Sequence, residues 1–332
     1  MLLSIKGLQT LRMNNTPLHK VTLGKHGFIS YAADPTQEYK WLLHESFDWF
    51  SKARDKHGPM WRYYDNDSDP VTYKFDSLGF RSDREVADLD GDWILSSTEC
   101  IGLGPGLHSR DLYHNILEER MGVPFYNAST YGGRLENLPF NLLQLSKYWK
   151  TPPKHMILIG SQNSTGISTG IPNVPVSVKN IDYIPAALKP DSKEKELLFL
   201  YQSLGVAKWQ HMIMLKTIIR LGENWDIPIL WINGTSDDPA DMSKESTYNY
   251  VDDLTLIHQF IHGVGITLPA DPEKALQVMS ETILKPMAEK EPPPGATLED
   301  VSRDLLHPGA KSHLELADKI EYELDGFGTL NY

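Results

Sequence analysis

Up to about residue 70 the apolar positions follow no single period, whereas from residue 92 onward short apolar runs alternate with amphipathic stretches. Trp93-Ile94-Leu95, Pro124-Phe125-Tyr126-Asn127, Met156-Ile157-Leu158-Ile159 and Pro228-Ile229-Leu230-Trp231-Ile232 are nearly continuous in apolar character, which predicts four buried strands. Residues 107–121, 135–149, 194–221 and 312–324 repeat apolar side chains at helical spacing. Strands and helices in alternation call for right-handed crossovers and a parallel sheet covered on both faces, so the expected class is a three-layer α/β/α sandwich.

Three stretches depart from that rhythm. Residues 1–70 read as an N-terminal extension packing on a main domain of residues 71–332. Within the extension, 37–53 carries Tyr39, Trp41, Leu42, Phe47, Trp49 and Phe50 and predicts one aromatic-rich helix. Asp65 to Pro70 predicts a turn, and Val71-Thr72-Tyr73-Lys74-Phe75 a short edge strand. In the main domain, proline-rich insertions are expected at about 167–193 and 239–296, the second closed by Pro292-Pro293-Pro294-Gly295 as a stiff spacer.

Charge and cysteine content then narrow the functional classes. The chain has 332 residues and a net charge of −12, with no basic stripe interleaved with aromatics. Such a field opposes extended contact with phosphate backbones, so nucleic acid is not an expected partner. The amino terminus lacks a basic flank and a sustained apolar core, and no run approaches the roughly 20 apolar residues of a membrane span. A cytoplasmic protein is expected. A single cysteine, Cys100, excludes an intramolecular disulfide and any multi-thiolate metal site within one chain.

The chemistry concentrates near the carboxyl end. In Arg303-Asp304-Leu305-Leu306-His307-Pro308-Gly309 a carboxylate precedes an imidazole by three residues in a stretch that Pro-Gly turns. Asp304 can accept the Nδ1 proton of His307 and leave Nε2 to take a proton from a hydroxyl, as acyl transfer requires. Ligands of a doubly wound sheet gather at the carboxyl ends of the strands. There the chain carries Ser96-Ser97-Thr98-Glu99-Cys100-Ile101-Gly102-Leu103-Gly104 after the first strand, Asn127-Ala128-Ser129-Thr130-Tyr131-Gly132-Gly133 after the second and Gly160-Ser161-Gln162-Asn163 after the third.

In the order of these blocks the chain resembles the SGNH, or GDSL-like, hydrolase superfamily, over about residues 72–325 outside the two insertions. Asp76-Ser77-Leu78-Gly79-Phe80-Arg81 also looks like the Asn-Ser-x-Gly-Phe-Arg lead-in of many members. The resemblance implies a flavodoxin-like parallel sheet and hydrolysis of an acyl or acetyl ester on a carbohydrate or lipid-like substrate. It implies no metal and no organic cofactor. It assigns Asp304 and His307 as orienter and base, and Gly132, with Gly133 beside it, as an oxyanion donor. The usual Gly-Asp-Ser falls on Ser96-Ser97-Thr98, which makes Thr98 the nucleophile, with Ser97 one residue away as the alternative. Threonine's β-methyl stiffens χ1 and crowds the approach to a carbonyl. Gly-x-Asn-Asp falls on Gly160-Ser161-Gln162-Asn163, so either Gln162 or Asn163 is the amide donor to the oxyanion. These departures also fit an inactive member retained as a carbohydrate-binding or assembly module.

Other patterns have plainer readings. Gly102-Leu103-Gly104-Pro105-Gly106 lacks the third glycine of a dinucleotide fingerprint, and its glycines are read as letting the loop approach the active centre or turn into the helix. His108, Asp111 and His114 fall at three-residue steps and are read as a helix surface, not a metal face. His258 and His262 lack the intervening glutamate of the zinc hydrolases and are read as structural. Cys100, two residues beyond the catalytic position, is read as buried and inert.

Overall fold

A computed structural model of the chain describes residues 12–14, 21–23, 29–31, 33–42, 45–98, 100–130, 137–160, 166–167, 176–177, 206–233, 285–292, 297–305 and 307–326. Its strands are β1 (Arg12–Asn14), β2 (Val21–Leu23), β3 (Ile29–Tyr31), β4 (Gln37–Tyr39), β5 (Tyr73–Lys74), β6 (Ile94–Thr98), β7 (Phe125–Asn127), β8 (His155–Gly160), β9 (Gly166–Ile167), β10 (Val176–Ser177) and β11 (Ile229–Asn233). Its helices are α1 (Phe47–His57), α2 (Cys100–Leu103), α3 (Tyr113–Met121), α4 (Asn137–Leu145), α5 (Val206–Trp225), α6 (Lys285–Glu289) and α7 (Ala310–Gly326). None of these helices is long and apolar enough to cross a membrane.

The central sheet is parallel, in the order β11-β8-β6-β7. Side chains alternate across a strand, and that alternation sorts its residues into two apolar layers. Leu95, Tyr126, Met156, Leu158, Ile229 and Trp231 face α4 and α5, meeting Leu138, Leu142, Leu145, Leu215, Ile218 and Leu221. Ile94, Phe125, Ile157, Ile159, Leu230 and Ile232 face α3 and α7, meeting Tyr113, Leu117, Leu316, Ile320 and Leu324. The fold is therefore a three-layer α/β/α sandwich. Numbered by first appearance, its strands run 2-1-3-4, and the order reverses between β6 and β8, where such sheets leave a crevice for ligands.

Three element boundaries differ from the sequence reading for local reasons. The expected helix over 37–53 is divided: Gln37–Tyr39 pairs with β1 on one side and β5 on the other, and α1 begins only after Ser46, whose hydroxyl accepts the Trp49 N–H at 3.1 Å. The helix expected over 107–121 shortens to Tyr113–Met121 because His108 and Leu112 are extended, at ψ 148° and 137°, on either side of the single turn Ser109–Asp111. The strand expected at 93–95 continues through Ser96-Ser97-Thr98, since β8 extends alongside and pairs Ser97 with Leu158 and Thr98 with Ile159.

A second core joins the N-terminal segment to the loops around the carboxyl end of β6. Tyr39, Trp41, Leu42, Trp49, Phe50, Trp61, Tyr63 and Tyr73 pack with Leu103, Leu107, Leu112, Val301 and Leu305.

Candidate active site

Residues 301–308 close on themselves. Val301 bridges Pro308, the Ser302 N–H donates to the His307 carbonyl at 2.8 Å, and the Leu305 N–H donates to the Ser302 carbonyl at 3.0 Å. The turn holds Leu305 at a φ of 59°, a left-handed conformation that costs an L side chain roughly 1–2 kcal/mol. Burial of the leucine side chain in the second core offsets that strain. The result is a carboxylate aimed back at its own loop: Asp304 Oδ2 lies 2.6 Å from His307 Nδ1, while Oδ1 accepts the His307 N–H at 3.0 Å and the Ser302 hydroxyl. Asp304 is fully buried, and the His307 side chain keeps 15% of its surface open. Asp304 and His307 thus meet in the contact that their three-residue spacing predicts.

The residue before the carboxylate secures the turn. Arg303 is wholly buried and donates through Nε to Glu45 Oε1 at 2.7 Å, through Nη2 to Glu45 Oε2 at 3.0 Å, and onward to Asn66 Oδ1 and the Lys40 and Val71 carbonyls. Two parallel bonds to one carboxylate are the strong form of this interaction. Desolvation opposes the charge, but Glu45 outweighs it and holds the guanidinium above its ordinary pKa.

The loop after β6 docks directly on this turn. The Arg303 N–H donates to the Gly106 carbonyl at 2.9 Å, and a Cβ at position 106 would come within 2.7 Å of the backbone nitrogens of both Arg303 and Asp304. Glycine is required there for close approach as well as for φ. From the other side, Arg81 of the lead-in motif holds the same loop by donating to the carbonyls of Leu103, Gly104 and Leu107, each at 2.7 Å. Asp76 shapes that motif by accepting the Leu78 and Phe80 N–H groups at 3.0 and 2.9 Å and the Tyr126 hydroxyl.

At the tip of β6 the three hydroxyls diverge. Ser96 and Thr98 share the face of Ile94, toward α3 and α7, and Ser96 Oγ lies 2.5 Å from Tyr113 OH. Ser97 shares the face of Leu95, toward α4 and α5, and donates to the Ala128 carbonyl at 3.1 Å. Only Thr98 of the two nucleophile candidates therefore faces the layer from which His307 comes. Its Oγ1 accepts the Gly102 N–H at 2.6 Å and lies 3.1 Å from Ser129 Oγ, which also accepts the Thr98 N–H at 2.9 Å. Asn127 ties α2 to the sheet by donating to the Gly102 carbonyl at 2.9 Å.

Cys100, at the start of α2, is half-buried and its side chain hydrogen-bonds to His307. With Nδ1 engaged by Asp304, Nε2 is the ring nitrogen left for the thiol. Burial alone would lower the imidazole pKa, but the Asp304 charge and hydrogen bond, followed by Cys100, pull harder the other way and raise it to about 10. The expectation of a buried cysteine is thus corrected to a half-buried one, because the first turn of α2 carries the thiol to His307. What sequence reading missed had one available signal: Cys100 lies two residues past Thr98, and a helical turn beginning there displaces it from the strand.

The remaining assignments divide. Gly132, Gly133, Gln162 and Asn163 lie outside the described residues, as do His258 and His262. Of the three-residue series, His108 is 3.7 Å from Asp69, Asp111 pairs with Arg62 at 2.6 Å, and His114 is buried on α3 and not at the surface. No group of three or more metal-ligating side chains occurs among the described residues.

No family profile matches the chain, and no curated protein matches it. Among solved structures it is similar to TesA, at 13% identity and a TM-score of 0.33, covering 70% of this chain and 98% of that one. It is also similar to the psychrotrophic esterase EstA from Pseudoalteromonas sp., at 12% identity and a TM-score of 0.34, covering 72% and 98%. A third is the lipase/acylhydrolase from Enterococcus faecalis, at 14% identity and a TM-score of 0.28, covering 71% and 96%. At scores this low the likeness does not bear on activity, and the three-layer architecture stands on strand pairing and core packing alone.

Proposed function

We propose that the chain is an ester hydrolase of SGNH type that removes an acyl or acetyl group from a small-molecule, carbohydrate or lipid-like substrate. The observation that carries this reading is the 2.6 Å bond from a fully buried Asp304 to the Nδ1 of a partly open His307. A carboxylate so placed fixes the tautomer and stabilises the imidazolium that forms during proton transfer.

In this reading the Thr98 hydroxyl attacks the ester carbonyl while His307 Nε2 takes its proton. The tetrahedral oxyanion is held by Gly132 and by Gln162 or Asn163. His307 then protonates the departing alcohol, and water, deprotonated by the same imidazole, releases the acid and regenerates the hydroxyl. No cofactor enters these steps.

A second reading is favoured by the hydrogen bond between Cys100 and His307. Here the thiol gives its proton to His307 and attacks as thiolate, forming a thioester that water cleaves. In the hydroxyl reading the base must be neutral imidazole, so kcat/KM climbs as pH approaches about 10.

Hydrolysis of short-chain nitrophenyl esters and acetylated sugars tests both. His307→Ala is expected to lower kcat/KM by about 10²–10⁴-fold. Thr98→Ala abolishes turnover in the first reading and Cys100→Ala in the second. Equal, background-level rates for wild type and His307→Ala on every substrate would remove the hydrolase proposal.

A further inference from the structure

A cavity of about 250 Å³ lies between β4, β5, the 81–84 strap and the start of α3, and neither His307 nor Cys100 lines it. Its wall includes Lys74, Arg81, Arg84 and His114, with Glu38 and Asp83 as the acidic members. Two of these groups stand out: a buried charge bonded to carbonyls alone, and a buried ring nitrogen with no partner. Arg81 is 4% exposed, yet its hydrogen bonds all end on main-chain carbonyls, those of Thr72, Leu103, Gly104 and Leu107. Its charge therefore meets no carboxylate in hydrogen-bond contact, and burial lowers its pKa. His114 is 3% exposed, and its Nδ1 has no hydrogen-bond partner. An unsatisfied buried nitrogen is destabilising, and a ligand bonded to it would supply the missing partner.

The other two wall cations each meet a carboxylate: Arg84 Nη2 donates to Glu118 at 2.5 Å, and Lys74 stands 4.0 Å from Asp83. Arg81 is left as the wall cation whose hydrogen bonds reach main-chain carbonyls only. We propose that this cavity binds a small oxyanion, a carboxylate or phosphate, held between His114, the Arg81 charge and Lys74. Burial drives the His114 pKa down to about 3, with the Arg81 charge adding to the effect, so the ring is neutral and can present an N–H at Nδ1. The volume falls just below the roughly 300–1,000 Å³ of drug-sized sites, which restricts the occupant to a small molecule.

Calorimetric titration of the full chain with inorganic phosphate, with malonate and with uncharged glycerol tests the site independently of hydrolysis. At least one anion is expected to bind saturably while glycerol does not, and which anion binds identifies the chemical source. Lys74→Ala, at a half-buried position, and His114→Leu are each expected to weaken binding by about tenfold. His307→Ala should leave it unchanged, which separates this site from the proposed hydrolytic one. Absence of saturable binding by either anion, equal uptake of glycerol, or unaltered affinity in folded Lys74→Ala would overturn the proposal.

Discussion

The two sides of the candidate active site are built by opposite means. The His307 side is built from residues 301–305 and 307–308, among which Asp304 reaches His307 and the Ser302 hydroxyl at short range. The nucleophile side is assembled from distant pieces: the end of β6, the first turn of α2, Ser129 after β7 and the loop that Arg81 holds. Local construction tolerates little variation in geometry, because three residues separate the acid from the base whatever the rest of the chain does. Assembly from distant pieces makes the reactive group depend on where each piece docks. That dependence is why the first turn of α2 brings Cys100 to the imidazole.

The largest expected effect breaks the support of the local side. Arg303→Met leaves the Glu45 carboxylate buried without its bidentate partner, and removal of one member of a buried pair costs about 3–5 kcal/mol. Urea unfolding should show the loss as a lower midpoint. Arg303→Met combined with Glu45→Gln removes the orphan charge and should recover part of it. A loss below about 1 kcal/mol in the single variant, the value of an exposed pair, would mean that the turn does not depend on this pair.

The next effect sharpens the comparison through pH. The folded pKa of His307, about 10, lies above its ordinary value of 6.5, so protonation stabilises the folded state. The contribution is fully present below about pH 6.5 and disappears as pH rises through about 10. Since a tenfold change in proton affinity is worth about 1.4 kcal/mol, it amounts to a few kcal/mol. The stability difference between wild type and His307→Gln, measured by urea unfolding from pH 6 to 10, should therefore shrink with increasing pH. A difference constant across that window would show that Asp304 does not hold the imidazolium.

The contrast also explains what can be read from the sequence. Four strands and the two-layer covering are legible because Leu95, Met156, Leu158 and Ile229 alternate with Ile94, Ile157, Ile159 and Leu230, and that alternation is the packing itself. The Asp304–His307 bond is legible because its geometry is short-range. The break between β4 and α1 is less so, since the aromatic residues at 39, 41 and 49 pack into one core from a strand, a loop and a helix alike. Arg303 and Glu45 are separated by 258 positions, and nothing local in either marks them as partners. The direction of each hydroxyl in Ser96-Ser97-Thr98 depends on the continuation of the strand, which is a property of β8 beside it.

The smallest effect tests whether the assembled side is as tightly fitted as the local one. Gly102 lies in α2 just after the tip of β6, and a Cβ there would collide with Thr98 Oγ1 and Ser129 Oγ and stand 2.9 Å from Ser129 Cβ. Neither neighbour is the flexible end of a long side chain, and both hydroxyls take part in bonds that position the β6 tip. Gly102→Ala should cost about 1–3 kcal/mol, as overpacking of a close-packed site does. Ser129→Gly removes two of the three colliding atoms but also the acceptor of the Thr98 N–H, so alone it is destabilising as well. Together the two changes should cost less than their sum, with a coupling of about 0.5–3 kcal/mol in a double-mutant cycle on urea midpoints. Strict additivity would mean that the helix start yields to the added methyl, and that the tip of β6 is adjustable where the Asp304 turn is not.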